Sequence, residues 1–346
     1  MVHKIAFFNH KGGVSKTTTV FHLGWMLANL GKKVLLIDAD SQCNLTKIIL
    51  KENYESFYET HPQQNIKSAL SVAFEAKTTV IEALECISIP ERDNLFLMPG
   101  SFDISEYEVQ LGVSFQMSNS FTTMKNLPGA LNYLIEKTAE RYDAEYVLID
   151  MNPSLSAINQ ALLLSSDYFI VPTSPDYFSK MALESLSRIL PQWERWAKVS
   201  REMFLDSSYP LALNTPKFLG YTINNYTLRK GEPAKAFNNI ISEIDQVVMN
   251  KFVPQLRRYD MLLDEDIYTD NTYKRLQISN FQTLGIKYQD ESTPVFELTD
   301  VQLGHTGTVL ENQQKQREAF RDKYETFAND VISMIEYAES HAEVHA

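Results

Sequence analysis

Apolar positions in this chain fall into short unbroken runs, separated by stretches with helical spacing. The runs are Ile5 to Phe8, Val34 to Ile37, Leu95 to Met98, Tyr146 to Ile149, Tyr168 to Val171 and Phe218 to Ile223, rich in β-branched and aromatic residues. Runs this short that lack polar alternation fit strands buried on both faces. Between the first two, Val20, Leu23, Leu27 and Leu30 recur three or four apart and Gly31 follows, which predicts a helix from Lys16 to Leu30 stopped by the glycine. Strand, loop, helix and strand within about 35 residues make a βαβ unit, the crossover that parallel strands need. The expected fold class is α/β, a mostly parallel twisted sheet with helices on both faces.

Two polar stretches break the rhythm: residues 51–67 (KENYESFYETHPQQNIK) and residues 201–210, each carrying a proline. We expect both to be insertions within one domain covering 1–346, not linkers between domains. Near the end, Phe320, Tyr324, Phe327, Val331 and Ile335 are spaced for one helix face, which predicts a closing helix over about 311–340 packed on the sheet.

Composition narrows the function. With 346 residues, 44% of them hydrophobic, the chain has enough apolar material for a large core. Its 32 basic and 44 acidic residues leave a net charge of -12, so any nucleic-acid contact must come from a local patch. Cys43 and Cys86 are the only cysteines, too few for a disulfide framework or a four-thiolate metal site. No apolar run reaches the roughly 20 residues of a membrane span, and the last residues, EYAESHAEVHA, carry no lysine or arginine to hold a membrane surface. The expected location is the cytoplasm.

Candidate chemistry centres on FNHKGGVSKTTT, residues 8–19, between the first strand and the first helix. A loop in that position aims consecutive backbone N–H groups at phosphate oxygens, and the helix N-terminus adds favourable electrostatics. Glycines allow close approach, a lysine neutralises the terminal phosphates, and a threonine hydroxyl coordinates magnesium. Gly12 and Gly13, Lys16, and Thr17 supply those parts. The general pattern G-x-x-x-x-G-K-[ST] nevertheless fails twice, at His10 and at Ser15.

A narrower pattern fits. KGGVSKTT, residues 11–18, resembles KGGVGKTT, the deviant Walker A loop of the ParA/MinD ATPases. The resemblance extends to DADSQCNLT (38–46), similar to that family's first switch segment, and to AEYVLIDMNPSLS (144–156), similar to its Walker B strand and second switch. VPTSPDYFS (171–179) also looks like ParA. It covers residues 1–50 and 144–240 well and the rest weakly. The resemblance implies a P-loop NTPase fold and ATP with Mg2+ as cofactors. It implies nucleotide binding by Lys11, Gly12, Gly13, Val14, Ser15, Lys16, Thr17 and Thr18, and reading of adenine by Asn224, with Asn225 as the alternative. Thr17, Asp38 and Asp150 would serve the metal, and Lys11, Lys16 and Asp40 would be catalytic. In this family the early lysine, here Lys11, reaches the nucleotide of a second subunit, so the implied state is a homodimer enclosing two ATP molecules. Asp40 would orient the attacking water.

The closest kind is a ParA-type partition ATPase without an N-terminal DNA-binding region, because the sheet begins by about residue 4. Its implied partners are a ParB-like or other adaptor protein and nonspecific DNA, with nucleoid association and no membrane. Cations available for DNA are Arg229, Lys230, Lys251, Arg257, Arg258, Lys274, Arg275, Arg317 and Arg321. Two other readings share the loop: a biosynthetic ligase or amidotransferase of the dethiobiotin synthetase or cobyrinate type, and a nucleotide switch in a larger assembly. Ser15 departs from the family glycine, and its Cβ is costly if the backbone there is left-handed.

Overall fold

Each of the six apolar runs forms a strand. In chain order the strands are β1 (His3–Phe7), β2 (Val34–Ala39), β3 (Ile87–Ile89), β4 (Arg92–Met98), β5 (Tyr146–Met151), β6 (Tyr168–Thr173), β7 (Lys217–Tyr226), β8 (Leu228–Arg229), β9 (Glu232–Pro233) and β10 (Lys274–Ser279). The structure is a computed structural model and describes residues 2–90, 92–117, 122–229, 232–268 and 272–345. Eight strands make one sheet in the order β10-β7-β6-β1-β5-β2-β4-β3, and β8 and β9 form a separate small hairpin. Within the eight-stranded sheet, among the described residues, only the β3–β4 pair is antiparallel; the β8–β9 pair is antiparallel too. β2, β5 and β6 are buried along their whole length, as unalternated apolar runs require.

The first helix spans Lys16–Asn29 and ends where Gly31 turns with a φ of 82°. The closing helix is longer than the spacing predicts, Gly307–His345, and all five residues of its apolar face are buried. It packs on the helix Lys16–Asn29 and on β10. Helices Leu127–Arg141, Ala157–Leu164 and Tyr177–Ser200 pack against one another in succession.

Residues 51–67 form more regular structure than their polar composition implies. They contain the helix Tyr54–Thr60, whose Tyr58 hydroxyl donates to the Gly100 carbonyl at 2.9 Å. In 201–210 the buried Phe204 and Tyr209 hold the chain against the body of the fold, and the carbonyls of Tyr209 and Pro210 lie where a side chain on Gly129 would stand. Among the described residues no helix is long and apolar enough to cross a membrane.

Candidate active site

Parallel strands end together, so the loops after β1, β2, β5, β6 and β7 converge at one edge of the sheet. The loop after β1 folds onto the loop after β6. Asn9 donates from Nδ2 to the Pro172 carbonyl at 2.8 Å, its Oδ1 accepts from the Lys11 N–H at 3.0 Å, and Ser174 Oγ donates to the Gly13 carbonyl at 3.3 Å. The segment VPTSPDYFS thus acts as a buttress for the phosphate loop. Gly13 sits at φ 73° and Ser15 at φ 64°, ψ 35°, so both have the left-handed backbone that the loop's turn into the helix needs. Ser15 makes no side-chain cap to its own helix.

Lys16 is buried, and its Nζ donates to the carbonyls of Asn9 at 3.1 Å and Lys11 at 3.4 Å. Burial lowers its pKa, against the pull of Asp150 and Asp40. Lys11 lies across the loop and pairs with Asp176 within the same chain, Nζ to Oδ2 at 3.0 Å. The other oxygen of Asp176 accepts from the Ser179 N–H at 2.8 Å and caps the helix Tyr177–Ser200. Asp176 lies in the VPTSPDYFS segment, where by itself it looks like an ordinary helix cap.

The acids converge as well. β2 and β5 align Asp38 directly beside Asp150. Both are fully buried; one oxygen of Asp38 and both oxygens of Asp150 have no hydrogen bond of ordinary geometry, and the Thr17 hydroxyl faces Asp150 closely enough to lower its pKa against burial. The second oxygen of Asp38 accepts from the Thr46 N–H and hydroxyl, each at 2.7 Å. Burial pushes Asp38 up to about 7, and burial together with the neighbouring Asp38 charge pushes Asp150 up to about 8. Asp40 is also buried and raised by burial, with Oδ1 accepting from the Gln42 N–H at 2.9 Å. Asn152, after β5, donates to the Ser41 hydroxyl at 2.9 Å and ties the two switch segments together.

Free carboxylate oxygens beside a threonine hydroxyl are the hard donors Mg2+ takes, and Thr17, Asp38 and Asp150 fit it on that ground. Among the described residues no three carboxylate, histidine or cysteine groups gather as a metal cluster, so such an ion would draw other ligands from phosphate and water. Gly100 completes the floor: a Cβ there would come within 3.1 Å of the Asp38 carboxyl carbon, and its N–H donates to Thr46 Oγ1 at 3.1 Å. The sequence signal for it was only PGS after a strand.

Asn224, on β7, is buried beside the loop and donates to the Val14 carbonyl at 3.1 Å. Thr18 shares a hydrogen bond with the Tyr288 hydroxyl at 3.1 Å. His22, in the first helix, is fully buried with its pKa lowered to about 3 by burial. The Val295 N–H donates to its Nε2 at 3.1 Å, so its Nδ1 carries the proton and donates to the Thr18 carbonyl at 2.8 Å.

Around this edge the chain leaves large apolar side chains in solvent. Tyr177, Phe178 and Met181 follow Asp176, and Leu155 lies two residues after Pro153, whose Cβ a side chain on Gly12 would meet at 3.9 Å; all four are exposed. Most of the described cations considered for DNA already have partners within the chain. Lys251, Arg257, Lys274 and Arg317 pair with Glu184, Glu265, Asp245 and Asp300, and Arg275 lies over the Tyr268 ring. Arg321 donates to the Phe296 carbonyl, and Arg258 is exposed. Lys230 lies outside the described residues, as does the side chain of Arg229.

Comparisons with known proteins agree with this architecture. A family model described as an AAA domain matches residues 2–201. The chromosome partitioning protein ParA of Caulobacter vibrioides is 30% identical over 191 residues, which is 55% of this chain and 62% of that protein. The chain spans between 50% and 78% of the length of the first curated relatives it matches. Among solved structures, the ATP complex of a Cyanothece McdA has a TM-score of 0.61 at 17% identity, covering 93% of this chain and 96% of that one. The structure of pNOB8 ParA bound to nonspecific DNA has a TM-score of 0.57 at 17% identity, covering 97% and 99%. At that identity the two structural likenesses speak for the fold alone.

Proposed function

Because the chain belongs to the AAA domain family, among the ParA-type ATPases, we propose that it is an ATP-dependent dimerising ATPase that acts in DNA or cargo partition. The observation that carries this reading is the in-register pair Asp38 and Asp150, buried with oxygens that lack ordinary hydrogen bonds beside a phosphate loop that also presents Lys16 and Thr17.

The backbone N–H groups of Gly12 to Thr18 cradle the phosphates of ATP, and Lys16 leaves its carbonyl partners to neutralise the terminal ones. Thr17 with Asp38 and Asp150 would hold Mg2+, which when bound offsets phosphate charge. Asp40 stands within the same pocket of charge as Lys16 and orients the attacking water. Lys11 serves the nucleotide of a second copy, and the exposed Leu155, Tyr177, Phe178 and Met181 are the surface that copy covers. Burial of these apolar side chains between the copies and two ATP molecules at the centre supply both the adhesion and the nucleotide dependence.

Hydrolysis returns the copies to solution, stimulated by a ParB-like or other adaptor and by nonspecific DNA, the ligand in the pNOB8 ParA structure. DNA contact by Lys251, Arg257, Lys274 or Arg317 requires exchange of their acid partners for phosphates. The test of the chemistry is phosphate release from ATP with magnesium, for the parent and for Lys16→Ala and Asp40→Ala. Slow release by the parent, lost in both variants while Asp40→Ala still binds ATP, is the expected result; no ATP binding by the parent in calorimetry would end the proposal.

A further inference from the structure

A cavity of about 930 Å³ opens on the edge of the sheet opposite the phosphate loop, and its lining includes the first residues of the adjacent strands β1, β6 and β7, His3, Tyr168 and Lys217. At about 3.3 Å of rise per strand residue, the six residues of β6 put it roughly 20 Å from the nucleotide edge. Its floor is preformed, because Asp167 fastens all three strands. The Asp167 N–H donates to the Lys4 carbonyl at 2.9 Å, and its own carbonyl accepts from the Lys217 N–H at 2.8 Å. Oδ2 accepts from the Lys4 N–H at 2.8 Å and Oδ1 from Asn214 Nδ2 at 2.9 Å. Leu262, Leu263 and Ile267 add apolar lining, the closing helix adds Glu339, and Leu213 is left 71% exposed.

The charges in this cavity do not balance. Five acids line it against two lysines and two histidines. Lys4 is taken by Glu136 and Lys217 by Asp260, each at 2.8 Å, so Asp167, Asp264 and Glu339 have no lysine or arginine ion pair among the described residues. His3 Nε2 lies 3.7 Å from Glu339, but burial lowers its pKa and at neutral pH it leaves that charge standing. Tyr168 supplies a second, independent sign of a missing ligand. It is 8% exposed, and its hydroxyl has no hydrogen-bond partner among the described residues, although a buried tyrosine usually finds one.

We propose that this cavity receives a short segment of a partner protein in which arginine stands among leucine-like residues. A guanidinium brings several donors in one plane, enough for the Glu339 carboxylate and the Tyr168 hydroxyl together, while its stem and the apolar neighbours cover Leu213 and Leu263. A bare metal ion does not fit, since among the described residues no three carboxylate, histidine or cysteine groups gather closely enough to hold one. A small polyamine would match the charge and leave Leu213 in water. Seated at the far edge of the sheet, such a partner leaves the nucleotide edge open, so the inference does not rest on the ATPase reading.

The experiment is fluorescence anisotropy of the full chain with a labelled hexapeptide of four leucines and two arginines, beside its counterpart with glutamates in place of the arginines. The arginine peptide should bind the parent and the glutamate peptide should not. Combining Glu339→Gln with Asp264→Asn should weaken binding about tenfold or more, the scale of hydrogen bonds to charged groups. Leu213→Ser and Tyr168→Phe should each weaken it by a smaller factor, and Glu59→Gln, an exposed acid outside the lining, should leave it unchanged. Melting curves establish that every variant folds. An arginine peptide that fails to bind the parent, that binds the Glu339→Gln, Asp264→Asn protein as well as the parent, or that is weakened equally by Glu59→Gln would overturn the proposal.

Discussion

At Ser15 the left-handed backbone, φ 64° and ψ 35°, costs a residue with a Cβ about 1–2 kcal/mol. Glycine avoids that cost but loses about 0.5–1 kcal/mol in extra freedom of the unfolded chain. Ser15→Gly should therefore raise stability by up to about 1 kcal/mol, read from the urea midpoint at unchanged slope; a clear loss of stability would mean the serine side chain is making a contact that offsets its strain. The buried acids make a second prediction. Asp38 and Asp150 hold protons at about 7 and about 8 in the fold, whereas an unfolded aspartate releases its proton near pH 4. The folded form then binds more protons between those limits, so the pair's contribution is greatest at low pH and is lost as pH rises through 7 and 8. Melting temperature of the nucleotide-free protein should fall from pH 6 to pH 9, and Asp150→Asn should flatten the fall; an identical slope in both proteins would contradict the assignment.

Among the elements, the closing helix is the one that joins the far end of the chain to the nucleotide edge. Its Phe327 is fully buried and its Tyr324 stacks on His22, which in turn holds the Thr18 carbonyl. Phe327→Ala should cost about 3–5 kcal/mol in urea unfolding, and a cost under about 1 kcal/mol would show that the helix is not part of the cooperative fold. This helix and the six strands were legible because each repeats one spacing over several residues. β10 was not, since KRLQIS at a sheet edge alternates polar with apolar and offers only Leu276 and Ile278 to the core. The phosphate loop and the carboxylates were legible because their chemistry demands particular residue types at short range. The roles of Asp176, Gly100 and His22 were not, because each acts on a residue far away in sequence, and only the fold brings the two together.

For the whole molecule, a net charge of -12 sets the limits on its partners. DNA binding through Lys251, Arg257, Lys274 or Arg317 exchanges acid partners for phosphates, so it should appear at low salt and fall steeply as salt rises; filter binding with random-sequence DNA reads this, and salt-independent binding would point to another kind of contact. The apolar side chains beside Lys11 argue for a second copy of the chain as the first partner, before DNA or adaptor. The most direct measurement is the mass in solution, by light scattering, of Asp40→Ala, with ATP and magnesium, with ADP and magnesium, and without nucleotide. We expect twice the chain mass of 39.7 kDa with ATP alone, and the single-chain mass for Lys11→Ala under the same conditions. A mass that ignores the nucleotide, whether of one chain or two, would contradict an ATP-dependent dimer.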